Sequence, residues 1–276
     1  MHITDQLELA MRGISVLLIL IVLVSCTKKS NFSSIEVIGH AGMGLSMGNS
    51  MFHDNSKEAI EFALQMRGCD GVEVDVQLSK DGNLWLYHDT KLEAESTGEG
   101  CIPNKTNSEL ALLNYKTWRK EKLISLAELN PTLLFGKTLY LDLRTLNECL
   151  NQSINSAVLI QRLNEIDFLH IPEIQIIVVT NNVGLANQLM DSFYSVYLDV
   201  TGYQMAQQVL QANPIIQGIV IRNSAIGQEE VKMIQNLGKK VVLYDMRSAV
   251  GIRKALKKNP DSIMTDDLRE AIIETN

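Results

Sequence analysis

Eight short apolar runs, most of them separated by helix-length amphipathic segments, constrain this chain more than any other feature of its sequence. The runs are IEVIG (35–39), GVEVDVQL (71–78), TLYLDL (138–143), IQIIVVT (174–180), SVYLDV (195–200), GIVIRN (218–223), KVVLYDM (240–246) and SIMTD (262–266). Between them lie segments such as SKEAIEFALQM (56–66), NSAVLIQRLNEI (155–166), VGLANQLMDSF (183–193), GYQMAQQVLQ (202–211), QEEVKMIQNL (228–237) and SAVGIRKALKK (248–258). DLREAII (267–273) closes the series. In the first of these, Ile60, Ala63 and Leu64 share one helical face. Strands alternating with helices imply a parallel sheet with helices packed outside it. Eight strands in about 240 residues fit an α/β fold of the (β/α)8 TIM-barrel type better than the alternative, an open doubly wound sheet.

One stretch breaks the alternation. VQLSKDGNLWLYHD (76–89) holds two strand-like runs joined by Lys80-Asp81-Gly82-Asn83. A parallel crossover needs a dozen or more residues, so these runs must form an antiparallel β-hairpin, and Asp-Gly is a strong turn signal. Counted back from that turn, Ser79 faces Leu84 and Asp75 faces His88, within about one residue. The hairpin therefore sits at the active-site end of the second strand and carries His88 beside Asp75 and Glu73. Residues 90–137 form a long crossover with a helical part near 125–129, and a flap over the barrel mouth is expected there.

In such barrels chemistry gathers at the carboxyl ends of the strands. Those ends present His40, then Glu73, Asp75, His88 and Asp89, then Asp142 and Arg144, then Asn181, Asp199, Arg222, Asp245 and Asp266. Glu73 and Asp75 are two apart on one strand and share a face, with Val72, Val74 and Val76 on the other. Carboxylates forced together repel unless a cation lies between them. Glu73, Asp75 and Asp142 make an oxygen site suited to Mg²⁺ or Ca²⁺ rather than zinc; the plainer alternative is a set of salt-bridged carboxylates. His40 and His88 flank them and suit a general acid and general base. His53 and His170 lie in loop-like contexts with no evident partner and read as surface or structural residues.

The amino terminus reads separately. Arg12, the apolar run 14–24 and Ser25-Cys26 form a stretch too short for a membrane span of about 20 residues and fit a secretory leader. Leu23-Val24-Ser25-Cys26 resembles a bacterial lipobox, with Cys26 as the lipidated residue, residues 27–34 as a tether and residues 35–276 as the barrel. MHITDQLELA is an unsuitable start for a leader, so Met11 is an alternative first residue. An exported, membrane-anchored lipoprotein is the expected setting. The net charge of −7 carries no footprint for nucleic acid. Cys69 and Cys149 read as core residues of apolar helical patterns, Cys101 is open, and no disulfide framework is expected.

The block IGHAG…DNSKEAIEFALQMRGCDGVEVDVQLSKDGNLWLYHD resembles the glycerophosphodiester phosphodiesterase family, whose pattern runs HRG, ENT, a helix, E-x-D, a K-D-G turn and HD. LYLDLR and SIMTDD resemble two of its later strands, so the resemblance covers residues 35–270. It implies metal-dependent hydrolysis of a small-molecule glycerophosphodiester to glycerol 3-phosphate and an alcohol. It also implies acid–base roles for His40 and His88 and metal ligation by Glu73, Asp75 and Asp142. Asp54, Asn55, Arg144, Asp89 and Arg222 are the accompanying candidates for substrate binding or ligand support. This chain departs from the pattern: Ala41 stands for the HRG arginine, Asp54 for the ENT glutamate with Asn55-Ser56 following, Asp142 for the third carboxylate, usually Glu, and Arg144 for a lysine. Arg144, Arg222 and Arg247 are candidates to replace the lost phosphate-binding charge. Two further readings are a related phosphodiesterase acting on an inositol or sphingolipid diester, and a non-catalytic binding lipoprotein.

Overall fold

The computed structural model describes residues 32, 34–44 and 51–275. The leader, the lipobox cysteine Cys26 and nearly all of the tether lie outside the described residues. In chain order the strands are β1 (Glu36–Gly39), β2 (Gly71–Leu78), β3 (Leu84–Leu86), β4 (Thr138–Leu143), β5 (Leu146–Asn147) and β6 (Gln152–Ser153). They continue with β7 (Gln175–Thr180), β8 (Ser195–Val200), β9 (Gly218–Arg222), β10 (Lys240–Tyr244) and β11 (Ser262–Thr265). Strands β1, β2, β4 and β7 to β11 pair in parallel, and β1 hydrogen-bonds both β2 and β11, which closes the barrel. The fold is a (β/α)8 TIM barrel. The longer helices are α1 (Lys57–Gln65), α3 (Ser156–Asn164), α4 (Val183–Asp191), α5 (Tyr203–Ala212), α6 (Gln228–Asn236), α7 (Ala249–Leu256) and α8 (Leu268–Thr275); α2 (Asn107–Leu110) is a single turn.

Strand periodicity separates two cores. Outward side chains such as Val72, Val74, Val76, Leu139 and Leu141 meet the helices, among them Ile60, Ala63 and Leu64 of α1. Ser56 starts that helix by accepting a hydrogen bond from the Ala59 amide at 3.1 Å, a cap that stabilises by about 1 kcal/mol. Inward side chains fill the barrel: Ile38, Tyr140, Ile177, Val179, Tyr197, Val220, Val242 and Met264. On β2 the inward positions are instead Glu73, Asp75 and Gln77, all buried. That substitution of acids for apolar residues marks the mouth.

The hairpin forms with Leu78 opposite Leu84 and Val76 opposite Leu86, one residue away from the expected register. Ser79 belongs to the loop: its amide donates to the Asn83 carbonyl at 2.8 Å and its hydroxyl accepts from the Asn83 amide at 2.8 Å. Gly82 takes the left-handed φ of +85° that this five-residue turn needs. Tyr87, not His88, therefore stands opposite Asp75, its amide donating to the Asp75 carbonyl at 3.0 Å. The crossover has the expected helical turn, at Leu126–Glu128, and further short turns besides, α2 among them. It builds its own small core from Trp85, Tyr87, Leu92, Ile102, Leu110, Tyr115 and Leu123.

The cysteine reading is overturned. Cys149 lies exposed between β5 and β6 rather than in a core helix, and it forms a disulfide with the buried Cys101 of the crossover. Their 48-residue separation hid a pair that only the fold brings together. Cys69 is free and buried, as expected.

Candidate active site

The site begins where β1 ends. The His40 amide donates to the Thr265 carbonyl at 3.1 Å, and the chain then folds back through left-handed φ values at Ala41 (+48°) and Gly42 (+89°). The fold-back is tight: a Cβ at Gly39 would lie 1.9 Å from the Gly42 carbonyl oxygen, so only glycine fits before the histidine. The turn aims the Ala41 amide at Glu73 Oε2, 2.8 Å away. His40 Nδ1 lies 2.6 Å from Asp266 Oδ1, and Nε2 faces Glu73 Oε2 at 3.9 Å. Burial alone would lower the His40 pKa, yet the Asp266 hydrogen bond and the Glu73, Asp266 and Asp75 charges push it up to about 9.

The three carboxylates converge through register. Asp75 of β2 stands beside Asp142 of β4, and Glu73 beside Tyr140. One oxygen from each of Glu73, Asp75 and Asp142 lies within 4.8 Å of the others. Both Asp75 oxygens are held. Oδ2 accepts from Asn55 Nδ2 at 2.7 Å, Oδ1 accepts from Arg144 Nε at 2.9 Å, and Arg144 Nη2 contacts the same oxygen. Arg144 Nη2 also lies 3.1 Å from Asp142 Oδ2. Asn55, itself at a left-handed φ of +55°, accepts from the Asp75 amide at 2.9 Å, so it clamps that residue from both sides.

This arrangement tests the cation reading. Burial and the neighbouring Asp75 charge push Glu73 up to about 8, despite His40. Burial with the Asp75 and Asp199 charges pushes Asp142 up to about 6, against the pull of Arg144. Burial would also raise Asp75, but Arg144, His88 and the Asn55 hydrogen bond hold it below the usual carboxylate range. Arg144 and His40 together leave two of the three acids still wanting positive charge. The donor set, all oxygen and tightly grouped, fits a hard divalent cation.

His88 enters from the hairpin. Its Nδ1 lies 2.8 Å from Asp89 Oδ1, and Gln77 Nε2 donates to the carbonyls of Tyr87 and Asp89, at 2.8 Å each, which fixes the backbone on both sides of it. His40, Glu73, His88, Asp142 and Arg144 all line one cavity of about 210 Å³. Asp199, Arg222, Tyr244, Asp245 and Arg247 also line it, with Val179, Val220 and Met264. Arg222 Nη1 bonds Asp245 Oδ2 at 2.7 Å and lies over the Tyr244 ring. Ala41 is fully buried and absent from the lining, whereas three arginines are present in it.

Two placements differ from the sequence reading. Asp54 is away from the cavity lining and pairs with His53. His53, read as partnerless, meets Asp54 and Glu95 and stacks on Tyr115 with ring centroids 3.8 Å apart. One contributor went unassigned: Asp266 was visible as a strand end, but only barrel closure, which sets β11 against β1, gives it to His40.

A closed parallel barrel whose mouth gathers two oriented histidines and three carboxylates able to hold a cation defines the class: a TIM barrel with a polar site at the carboxyl ends of its strands. Residues 40–270 match the glycerophosphoryl diester phosphodiesterase family, and the chain belongs to that family. A probable glycerophosphodiester phosphodiesterase 1 of Mycobacterium tuberculosis is 40% identical over 65 residues, 24% of this chain and 23% of the relative. A glycerophosphodiester phosphodiesterase of Bacillus altitudinis is 39% identical over 75 residues, 27% and 28% of the two chains. The aligned stretches thus span about a quarter of these relatives' length. Among solved structures, a putative glycerophosphoryl diester phosphodiesterase of Agrobacterium tumefaciens superposes with a TM-score of 0.73 at 17% identity, covering 87% of this chain and 96% of that one. A phosphodiesterase of Oleispira antarctica, in complex with the product sn-glycerol-3-phosphate, gives 0.71 at 21% identity with the same coverage. At these identities the two structures establish the fold.

Proposed function

We propose that the chain hydrolyses glycerophosphodiesters to glycerol 3-phosphate and an alcohol, with His40 and His88 as the acid–base pair. The observation that carries this reading is the convergence of both imidazoles, each oriented by a carboxylate through Nδ1, on one cavity beside three acids. Family membership and the product complex of the Oleispira antarctica structure support the substrate class.

A Mg²⁺ or Ca²⁺ held by Glu73, Asp75 and Asp142 would supply Lewis-acid charge to the phosphodiester. The chain's own residues do the rest. Arg144, Arg222 and Arg247 present guanidinium charge to the phosphate in place of the arginine absent at Ala41. His88, the more exposed imidazole, takes the proton of the glycerol 2-hydroxyl as that oxygen attacks phosphorus. His40, kept charged by Asp266, gives a proton to the leaving alkoxide as its bond to phosphorus breaks. Water then opens the cyclic phosphate with the two roles exchanged.

Export and anchoring through a lipidated Cys26 belong to the same proposal. The Cys101–Cys149 disulfide supports it, because such bonds persist in oxidising compartments outside the cytoplasm. Among the described residues no helix is long and apolar enough to cross a membrane.

The test offers the purified protein glycerophosphocholine, glycerophosphoethanolamine and glycerophosphoinositol with Mg²⁺, Ca²⁺ or chelator. Metal-dependent release of glycerol 3-phosphate is the expected result. Release only from inositol or sphingolipid diesters would move the reading to those substrates, and no release from any would refute it.

A further inference from the structure

A second cluster of metal-ligating side chains, His53, Asp54 and Glu95, lies outside the cavity lining and includes the two residues before Asn55. His53 stacks on Tyr115, and its amide donates to Glu121 Oε1 at 3.3 Å, which fixes the ring against the crossover. Nδ1 meets the Asp54 carboxylate and lies 2.9 Å from the Asp54 carbonyl oxygen. Nε2 faces Glu95 Oε2 at 3.8 Å. One ligand atom from each of His53, Asp54 and Glu95 lies within 4.8 Å of the other two.

An independent observation says this cluster wants a further partner. Asp54 is only 6% exposed, yet its Oδ2 is enclosed with no hydrogen-bond donor. Glu95 Oε2 is enclosed in the same way. Among the described residues no lysine or arginine lies within ion-pair distance of either carboxylate, so one imidazole faces two acids. Buried carboxylate oxygens without donors are rare, and an unseen ion is a standard reason for them. Neutral imidazole with two carboxylates suits a borderline transition cation better than Ca²⁺, which takes oxygen ligands.

We propose that His53, Asp54 and Glu95 form a second, structural site for a divalent transition cation of the Zn²⁺ type. The cation would tie the segment at 53–54 to the crossover at Glu95. It would thereby hold the next residue, Asn55, which clamps Asp75 through two hydrogen bonds. This inference concerns binding alone and does not rest on the diesterase reading.

The test is calorimetric titration of metal-stripped Glu73→Gln/Asp142→Asn protein with Zn²⁺ alone, since those substitutions disable the mouth carboxylates. One equivalent should still bind, and adding His53→Gln or Glu95→Gln should weaken it at least 10-fold. Zn²⁺ at a hundred times its dissociation constant should raise the melting temperature of the Glu73→Gln/Asp142→Asn protein by about 5–10 °C. That reading needs no further substitution, so it stands even where His53→Gln fails to fold. Absence of the remaining equivalent, equal affinity in folded His53→Gln protein, or no thermal shift would each overturn the site.

Discussion

His40 Nδ1 stands 2.6 Å from Asp266 Oδ1 across the seam where the first and last strands of the barrel meet. The contact fixes the ring so that Nε2 is left for the cavity, and it stabilises the imidazolium. Asp266→Asn keeps the shape but loses the charge. Removing it should lower kcat by about 10²–10⁴-fold, the usual worth of a correctly held acid–base group. KM should shift as well, because Asp266 Oδ2 also lies 3.3 Å from Arg247 Nε, a guanidinium that lines the cavity. Steady-state kinetics on glycerophosphocholine check this, and an unchanged kcat would remove Asp266 from the mechanism.

The lost family arginine gives a second expectation. Ala41 is buried, while Arg144, Arg222 and Arg247 line the cavity. Arg222→Ala and Arg247→Ala should each raise KM by about 10-fold, the value of one charge-assisted hydrogen bond. Arg144→Ala should lower kcat as well, since it also uncovers Asp75 and Asp142. Unchanged KM in all three variants would end the compensation idea.

The barrel and most of this mouth were legible because they rest on local signals. Period-two strands gave the eight runs, and a two-residue spacing put Glu73 and Asp75 on one face. Contacts set by closure or by long loops were not legible. Asp266 reaches His40 over 226 residues, and Cys101 meets Cys149 over 48. His53 looked partnerless because Glu95 arrives from a crossover without periodicity. The hairpin lies within the one-residue margin of its expected register, and the Ser79 hydroxyl, which bonds the Asn83 amide inside the turn, accompanies the register that forms.

Glu73 sets a pH dependence. Its folded pKa of about 8 lies above the unfolded value near 4.3. In chelator it binds a proton on folding, so stability should be highest below the unfolded value and fall as pH rises towards 8. Cation binding must expel that proton. Near pH 7, calorimetry in buffers of different ionisation heat should show proton release on Mg²⁺ or Ca²⁺ binding, with affinity rising from pH 6 to 8. Glu73→Gln should remove most of the released proton, leaving the smaller share from Asp142, which is pushed up to about 6. Buffer-independent heats in the wild type would contradict the raised pKa.

The disulfide sets the last expectation. Cys101 sits in the crossover, and Cys149 lies in the exposed turn between β5 and β6. The bond pins the long loop over residues 90–137 to the segment after β4, where Asn147 Nδ2 also donates to Asn104 Oδ1 at 2.9 Å. A closed loop of this length restricts the unfolded chain by about 2–4 kcal/mol. Cys101→Ser/Cys149→Ser should therefore lower the melting temperature by about 5–15 °C. Neither cysteine lines the cavity, so kcat at 25 °C should stay within about two-fold. Adding reductant should reproduce the shift in the wild type and leave the variant unmoved. Equal melting temperatures with and without the bond would mean that the crossover is held by its aromatic core around Tyr87 and Tyr115 alone.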